Sequence, residues 1–331
     1  MESLQRTSAR HVLATAPLPA DLRGGVVAIG NFDGVHRGHQ AVLERALAEA
    51  RRRGAPALVL TFEPHPRKIF RPEQPLFVLT PPPMKARLLS LLDFAALVEQ
   101  PFTREFAGLS AEAFVTDVLE KNLGIIHAVT GFDFHFGKDR QGGPAYLMAA
   151  GERHGFGVTL VDAFRDEGAE VVSSSRIRVL LSQGEVSEAA GLLGYRFTVE
   201  SEVVGGQQLG RTLGFPTANM RLSPEASLKE GIYAVRFRRA DGSLHDGVAS
   251  FGRRPTVGDN GAPLLETFVF DFSGDLYGEV CEVSFFGFLR SEVKFDGLDA
   301  LVVQMKRDEA EARALLAGVK PLSELDAAVA F

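Results

Sequence analysis

The sequence predicts an α/β domain followed by an all-β domain: a doubly wound, Rossmann-like parallel sheet, then an antiparallel barrel. Three observations carry this. The chain has 331 residues, beyond the roughly 250 at which single cores stop growing. Up to about Phe164, short apolar runs alternate with helical patterns. After about Gly194, strand patterns succeed one another across Gly, Asp and Asn turns with no helix between them. The two domains are placed at residues 20–185 and 186–325.

In order along the first domain, Val26–Ile29, Ala57–Phe62, Phe94–Val98, Ile125–Thr130 and Val158–Val161 read as buried parallel strands. Between the first two, Val42, Leu43, Ala46, Leu47 and Ala50 share one helical face. Arg51, Arg52 and Arg53 sit in the last turn of that helix and Gly54 just beyond it, as a C-terminus prefers. A second helix is expected from an N-cap at Ser110 to about Asn122, with Gly124 past its end. Ser174–Gly194 reads as a connector of two short helices around Gly184. Beyond it, Phe197–Val204, Ile232–Arg238, Gly247–Phe251, Leu264–Phe270 and Val280–Phe288 read as strands, and a helix from about Leu298 to Leu316 closes the domain.

Composition excludes several classes. Hydrophobic residues make up 45% and charged ones 24%, as in an ordinary globular protein. A formal charge of -6 gives no field for nucleic acid or an anionic membrane, so neither is expected as a partner. The single cysteine, Cys281, excludes an internal disulfide and suits a reducing compartment. No stretch approaches the ~18 apolar residues of a span, and the N-terminus lacks the apolar core of a secretory signal. The expected address is the cytoplasm.

The run Gly30-Asn31-Phe32-Asp33-Gly34-Val35-His36-Arg37-Gly38-His39 joins the first strand to the first helix. In an open α/β sheet, ligands bind beyond the carboxyl ends of the strands, where helix N-termini offer free N–H groups. Gly34 and Gly38 allow close backbone approach, and His36 and His39 are spaced to face one bound phosphate. A zinc site would need a third ligand that no clustered His or Cys supplies, and there is no P-loop run. Ser173-Ser174-Ser175-Arg176-Ile177-Arg178 offers hydroxyls, a helix N-terminus and arginines to further phosphate oxygens.

The His36–His39 run resembles the His-x-Gly-His signature of the nucleotidylyltransferase superfamily. Thr61-Phe62-Glu63-Pro64-His65-Pro66, Leu109-Ser110-Ala111-Glu112-Ala113-Phe114 and Gly131-Phe132-Asp133-Phe134-His135-Phe136-Gly137 narrow the likeness. Together they look like the adenylyltransferase half of the bacterial bifunctional riboflavin kinase/FMN adenylyltransferase family. The resemblance implies ATP phosphates at His36, His39, Ser174, Ser175 and Arg178, and flavin nucleotide near Pro64, Pro66, Phe70 and Asp133. His135 departs from the pattern, standing where family members often have Arg.

The same family expects a riboflavin kinase in the barrel. Gly210-Arg211-Thr212-Leu213-Gly214-Phe215-Pro216-Thr217-Ala218-Asn219 resembles its Gly-x-Pro-Thr-Ala-Asn loop. Thr217 and Asn219 offer hard oxygens for Mg²⁺, and Gly210 and Gly214 free backbone N–H groups for ATP phosphates. Glu266 interrupts an apolar strand, which leaves it either outward and solvated or inward and functional. The resemblance selects it as general base for the ribityl hydroxyl. Ala249–Thr256 resembles the flavin-side loop, although its start departs from the family's commoner Asn-Ile-Gly, and Arg290 is a further flavin-side candidate. The implied activity is two-step FAD synthesis from riboflavin and two ATP.

Overall fold

A computed structural model describes residues 9–205, 215–253 and 263–331. It divides into two compact units, Met1–Ser174 and Ser175–Phe331.

The first unit is built on a six-stranded parallel sheet in the order β1-β4-β3-β2-β5-β6. Its strands are β1 (Arg10–Leu13), β2 (Val26–Ile29), β3 (Ala57–Glu63), β4 (Ala96–Pro101), β5 (His127–Gly131) and β6 (Gly157–Val161). Both faces of the central strands are buried, which is why they read as continuous apolar runs rather than as alternation. The chain runs outward from β2 through β3 to β4, then returns to the other side of β2 for β5 and β6. That reversal is the topological switch point, where the carboxyl ends of neighbouring strands open a crevice. The turn after β2 lies at this point.

Helix α1 (Arg37–Arg53) ends on Gly54 in the left-handed region, as the sequence predicts. Two short helices begin on prolines, α2 (Pro66–Phe70) and α3 (Pro82–Leu91), followed by α4 (Arg104–Ala107). The helix expected over Ser110–Asn122 has its cap at Ser110 and its left-handed stop at Gly124. Between them it is not uniform: α5 (Ala111–Ala113) widens at once into a π-helix over Phe114–Leu123. Its buried set is Phe114, Val115, Val118, Leu119 and Leu123, a spacing that serves the wider turn as readily as the α-turn. Helix α6 (Pro144–His154) precedes β6.

The second unit opens with α7 (Ser174–Gln183) and α8 (Val186–Leu193), the predicted connector pair. Six antiparallel strands then close a barrel in the order β10-β11-β8-β7-β12-β9. They are β7 (Thr198–Val204), β8 (Thr217–Arg221), β9 (Gly231–Arg238), β10 (Leu244–Arg253), β11 (Pro263–Val269) and β12 (Val280–Arg290). Alternate residues fill the interior, among them Tyr233, Val235 and Phe237 on β9, Leu265 and Thr267 on β11, and Cys281, Val283 and Phe285 on β12.

Helix α9 (Leu298–Ala317) packs on the barrel, and a helix not foreseen in the sequence, α10 (Glu324–Ala330), follows it. Arg196 and the fully buried Asp326 pin α10 with an ion pair at 2.6 Å, while Arg196 N–H donates to the same carboxylate. Among the described residues no helix is long and apolar enough to cross a membrane.

Candidate functional site

The turn after β2 is held in an unusual shape by its own backbone. Phe32 and Val35 have φ of 48° and 37°, and Gly34 has φ of 91°. A β-branched residue in the left-handed region is strained, and such strain concentrates at functional sites. What over-determines it is burial plus a clasp from the segment before α3. Asp33, itself buried, accepts backbone N–H bonds from Leu79 at 2.8 Å and Thr80 at 3.1 Å. Gly34 N–H donates to Thr80 Oγ1 at 2.8 Å, and Thr61 Oγ1 donates to Asn31 O at 3.1 Å.

The turn delivers the two histidines side by side. His36 is the N-cap of α1 rather than a residue inside it, and its Nδ1 accepts from His39 N–H at 3.3 Å. That bond leaves Nε2 of His36 as its donor. The two imidazoles stack with centroids 3.7 Å apart and an interplanar angle of 17°. The stacking brings both rings to one place at the start of α1. Burial, then the charges of His36 and Lys85, hold the His39 pKa well below the ordinary imidazole value. Its Nδ1 is shut from solvent and unpartnered. Gly38 serves the pair more than a ligand: a Cβ there would sit 3.1 Å from the His36 ring.

Of the phosphate-side residues named above, Ser174 closes the first unit and donates its hydroxyl to Asp33 O at 2.8 Å, tying it to the same turn. Ser175 is exposed and Arg178 half-buried on α7, which lies in the second unit. Gly210 and Gly214 lie outside the described residues.

Both phenylalanine-bearing loops reach the same sheet edge as the histidines, because β3 and β5 each run parallel to β2. Rings connect them: Phe70 to Phe102 at 5.7 Å, Phe102 to Phe106 at 5.6 Å, Phe106 to Phe114 at 6.3 Å, and Phe114 to Phe136 at 5.0 Å. The row comes out of the core at Phe70, 64% exposed at the end of α2. Pro64 and Asp133 are exposed and Pro66 begins α2, so these candidates flank the row. An exposed edge on an aromatic row suits a flat, partly apolar ligand. Arg140 Nη lies 2.9 Å from His135 Nδ1, so a guanidinium stands beside the position where the sequence departs from the family.

Sequence reasoning missed Lys85, on α3. It is almost fully buried and donates to Thr61 Oγ1 at 3.2 Å. Glu63 stands 3.9 Å away. Burial raises the Glu63 pKa and lowers that of Lys85. No local pattern marks it, because a lysine in a proline-rich helix start reads as solvated surface.

On the barrel, register assembles the second set. Asn219 pairs with Glu266, Glu266 with Ser250, Ser250 with Ile232, and Ile232 with Arg290. Directly opposed residues share a face, and Leu265 and Thr267 fill the interior, so this row is outward. Glu266 is therefore outward yet half-buried, neither of the two arrangements that strand alternation offered. Thr217 stands two residues before Asn219 on the same face of β8. Asn219 is buried; its amide N–H donates to Thr217 O at 3.2 Å, while its Oδ1 is shut from solvent with no partner. An orphaned amide oxygen beside a hydroxyl and a carboxylate fits a hard divalent cation.

Ser250 Oγ, in the middle of the row, donates to Glu292 Oε1 at 3.2 Å. Arg290 forks onto Asp308 of α9 at 2.8 and 2.6 Å, which anchors that helix where the row ends.

Known proteins match both halves. A family model described as FAD synthetase matches residues 18–176, and one described as riboflavin kinase matches residues 193–316. The bifunctional riboflavin kinase/FMN adenylyltransferase of Listeria monocytogenes is 39% identical, over 88% of this chain and 92% of its own length. Its counterpart in Escherichia coli K12 is 38% identical over 94% and 97%. A solved structure from Streptococcus pneumoniae, described as a macrolide-efflux protein, superposes with a TM-score of 0.81 at 31% identity, covering 92% of this chain and 98% of that one.

Proposed function

The chain belongs to the bifunctional riboflavin kinase/FMN adenylyltransferase family, and from that premise we propose how its residues divide the two reactions. The C-terminal half is the riboflavin kinase, which makes FMN with ATP; the N-terminal half is the FAD synthetase, which adenylylates FMN and releases pyrophosphate.

In the N-terminal half, His36 and His39 take the triphosphate of ATP, with Gly34 and Gly38 shaping the turn and Ser174 as a further phosphate contact. Adenylyl transfer is an in-line attack of the FMN phosphate on the α-phosphorus. It needs positioned donors for the charge developing on the phosphate oxygens rather than a covalent intermediate. The isoalloxazine ring rests against the exposed end of the aromatic row at Phe70, flanked by Pro64, Pro66 and Asp133. The observation that carries this assignment is the stacked His36–His39 pair on a strained turn at the switch point of the sheet.

In the barrel, Glu266 orients the ribityl hydroxyl and accepts its proton as the γ-phosphoryl group is transferred. Thr217 and Asn219 would hold Mg²⁺, with Gly210 and Gly214 on the phosphate side and Arg290 on the flavin side. A magnesium ion held there would supply positive charge against the ATP phosphates. The protein works in the cytoplasm, where riboflavin and ATP are at hand, with neither nucleic acid nor membrane as partner.

The test uses purified protein, riboflavin, ATP and Mg²⁺, with flavins separated by chromatography. Glu266→Ala is expected to lose FMN formation yet still convert supplied FMN to FAD. His36→Ala is expected to do the reverse. Equal damage to both steps from either substitution would sink the two-site assignment.

A further inference from the structure

Lys85 has no part in the two reactions as assigned above, yet its placement is costly. Its side chain is 4% exposed, and an ammonium carries three donors. One goes to Thr61 Oγ1 at 3.2 Å; the carboxylate oxygen of Glu63, at 3.9 Å, is beyond hydrogen-bond length. Burying a cation costs free energy that the groups around it must offset.

That site is the strained turn. Thr61 Oγ1, which accepts from Lys85, donates in turn to Asn31 O, so the ammonium is one hydroxyl away from the backbone that presents the histidines. The residues just before α3 clasp Asp33 and Gly34 from the same side. The charged groups around Lys85 are Glu63 of β3, Glu99 of β4 and Asp33 of the turn. Those acting on His39 are His36 and Lys85. Three carboxylates thus act on the lysine, while the charges acting on His39 are of its own sign.

We propose that Lys85 is a positioning residue for adenylyl transfer: through Thr61 it fixes the turn that presents His36 and His39, and its buried charge acts on His39 beside that turn. The inference rests on the reading of His39 as a triphosphate contact. Phosphate charge then arrives at an imidazole whose protonation it can change, rather than at one already charged. Burial of the His39 ring acts in the same direction as the lysine.

The experiment compares full-length wild type with Lys85→Met, which keeps the apolar stem without the charge, and Lys85→Arg, which keeps the charge. Two quantities are read: both reaction rates, and titration of the His39 imidazole by NMR in ligand-free protein. Lys85→Met is expected to lower kcat/KM for FMN adenylylation by on the order of tenfold to a hundredfold, leave riboflavin phosphorylation unchanged, and move His39 titration to higher pH. Lys85→Arg is expected to restore the titration and part of the rate.

A His39 titration unmoved in Lys85→Met overturns the proposal whatever the rates do. So does a loss of adenylylation in Lys85→Arg equal to that in Lys85→Met, which would mark a purely structural lysine. His39→Ala separates the two layers. Unchanged adenylylation in that variant would remove the triphosphate reading of His39, while the effect of Lys85 on His39 titration is read independently of it.

Discussion

Inside the barrel, Thr267 carries a hydroxyl that is shut from solvent and has no partner, on a residue with no exposed surface. It faces the interior between strands that present Ala249 and Ala218 opposite it. An unsatisfied buried hydroxyl costs roughly 1–3 kcal/mol, and valine has nearly the same shape. Thr267→Val is therefore expected to stabilise the barrel unit by about 1 kcal/mol, read as a higher urea midpoint at unchanged slope. A destabilised variant would show that the hydroxyl is satisfied after all. The contrast with Asn219 is instructive. It too has an orphaned atom, Oδ1, but on the outward row with Glu266, where the metal site proposed above would use it. The sequence shows the two polar residues alike; only register tells the faces apart.

Among the elements, α1 carries the clearest electrostatic device. Glu49, nearly buried on its inner face, accepts from Arg52 and Arg53 at 2.6 Å each. Those hydrogen bonds bring its pKa from 4.5 down to about 2. A carboxylate whose folded pKa is depressed adds stability that is present above its unfolded value and lost as pH falls through the folded one. The window here is therefore between about 4.5 and 2. A shift of that size corresponds to about 3 kcal/mol, and the exposure of Arg52 reduces it toward about 2 kcal/mol through solvent screening. Glu49→Gln is expected to lose that amount at neutral pH. Its unfolding free energy, measured in urea at successive pH values, should fall less steeply than that of wild type across the window.

Element by element, the central strands and α1 are legible because burial on both faces, one-sided periodicity and a glycine stop are local signals. Edge strand β1 is not, since Arg10–Leu13 is largely exposed and carries no apolar run. Strand β8 hides inside the Thr217–Asn219 motif, too short and polar to announce itself. The π-helix is invisible because its buried residues also fit an α-helix. The same division holds at the site. His36 and His39 are chain neighbours and could be read off, whereas Lys85, Thr61 and the Thr80 clasp meet the turn only through the folded sheet.

At the scale of the whole molecule, each unit is compact by itself, and each reaction consumes its own ATP. The histidine pair, the aromatic row and Lys85 belong to the first unit; Thr217, Asn219, Glu266 and Arg290 belong to the second. FMN links the two reactions, as product of one and substrate of the other. If FMN leaves the kinase site as free ligand, the two activities need not reside in one intact chain. Equimolar Glu266→Ala and His36→Ala proteins, each unable to make FAD from riboflavin alone, are then expected to make it together. The His36→Ala chain would supply FMN and the Glu266→Ala chain would consume it. Followed by chromatography, FMN should rise first and FAD after a lag that shortens as the proportion of Glu266→Ala protein increases. FMN that stays bound to the His36→Ala chain, with no FAD formed while the Glu266→Ala protein still converts supplied FMN, would instead mean that the intermediate is not released and passes within a single chain.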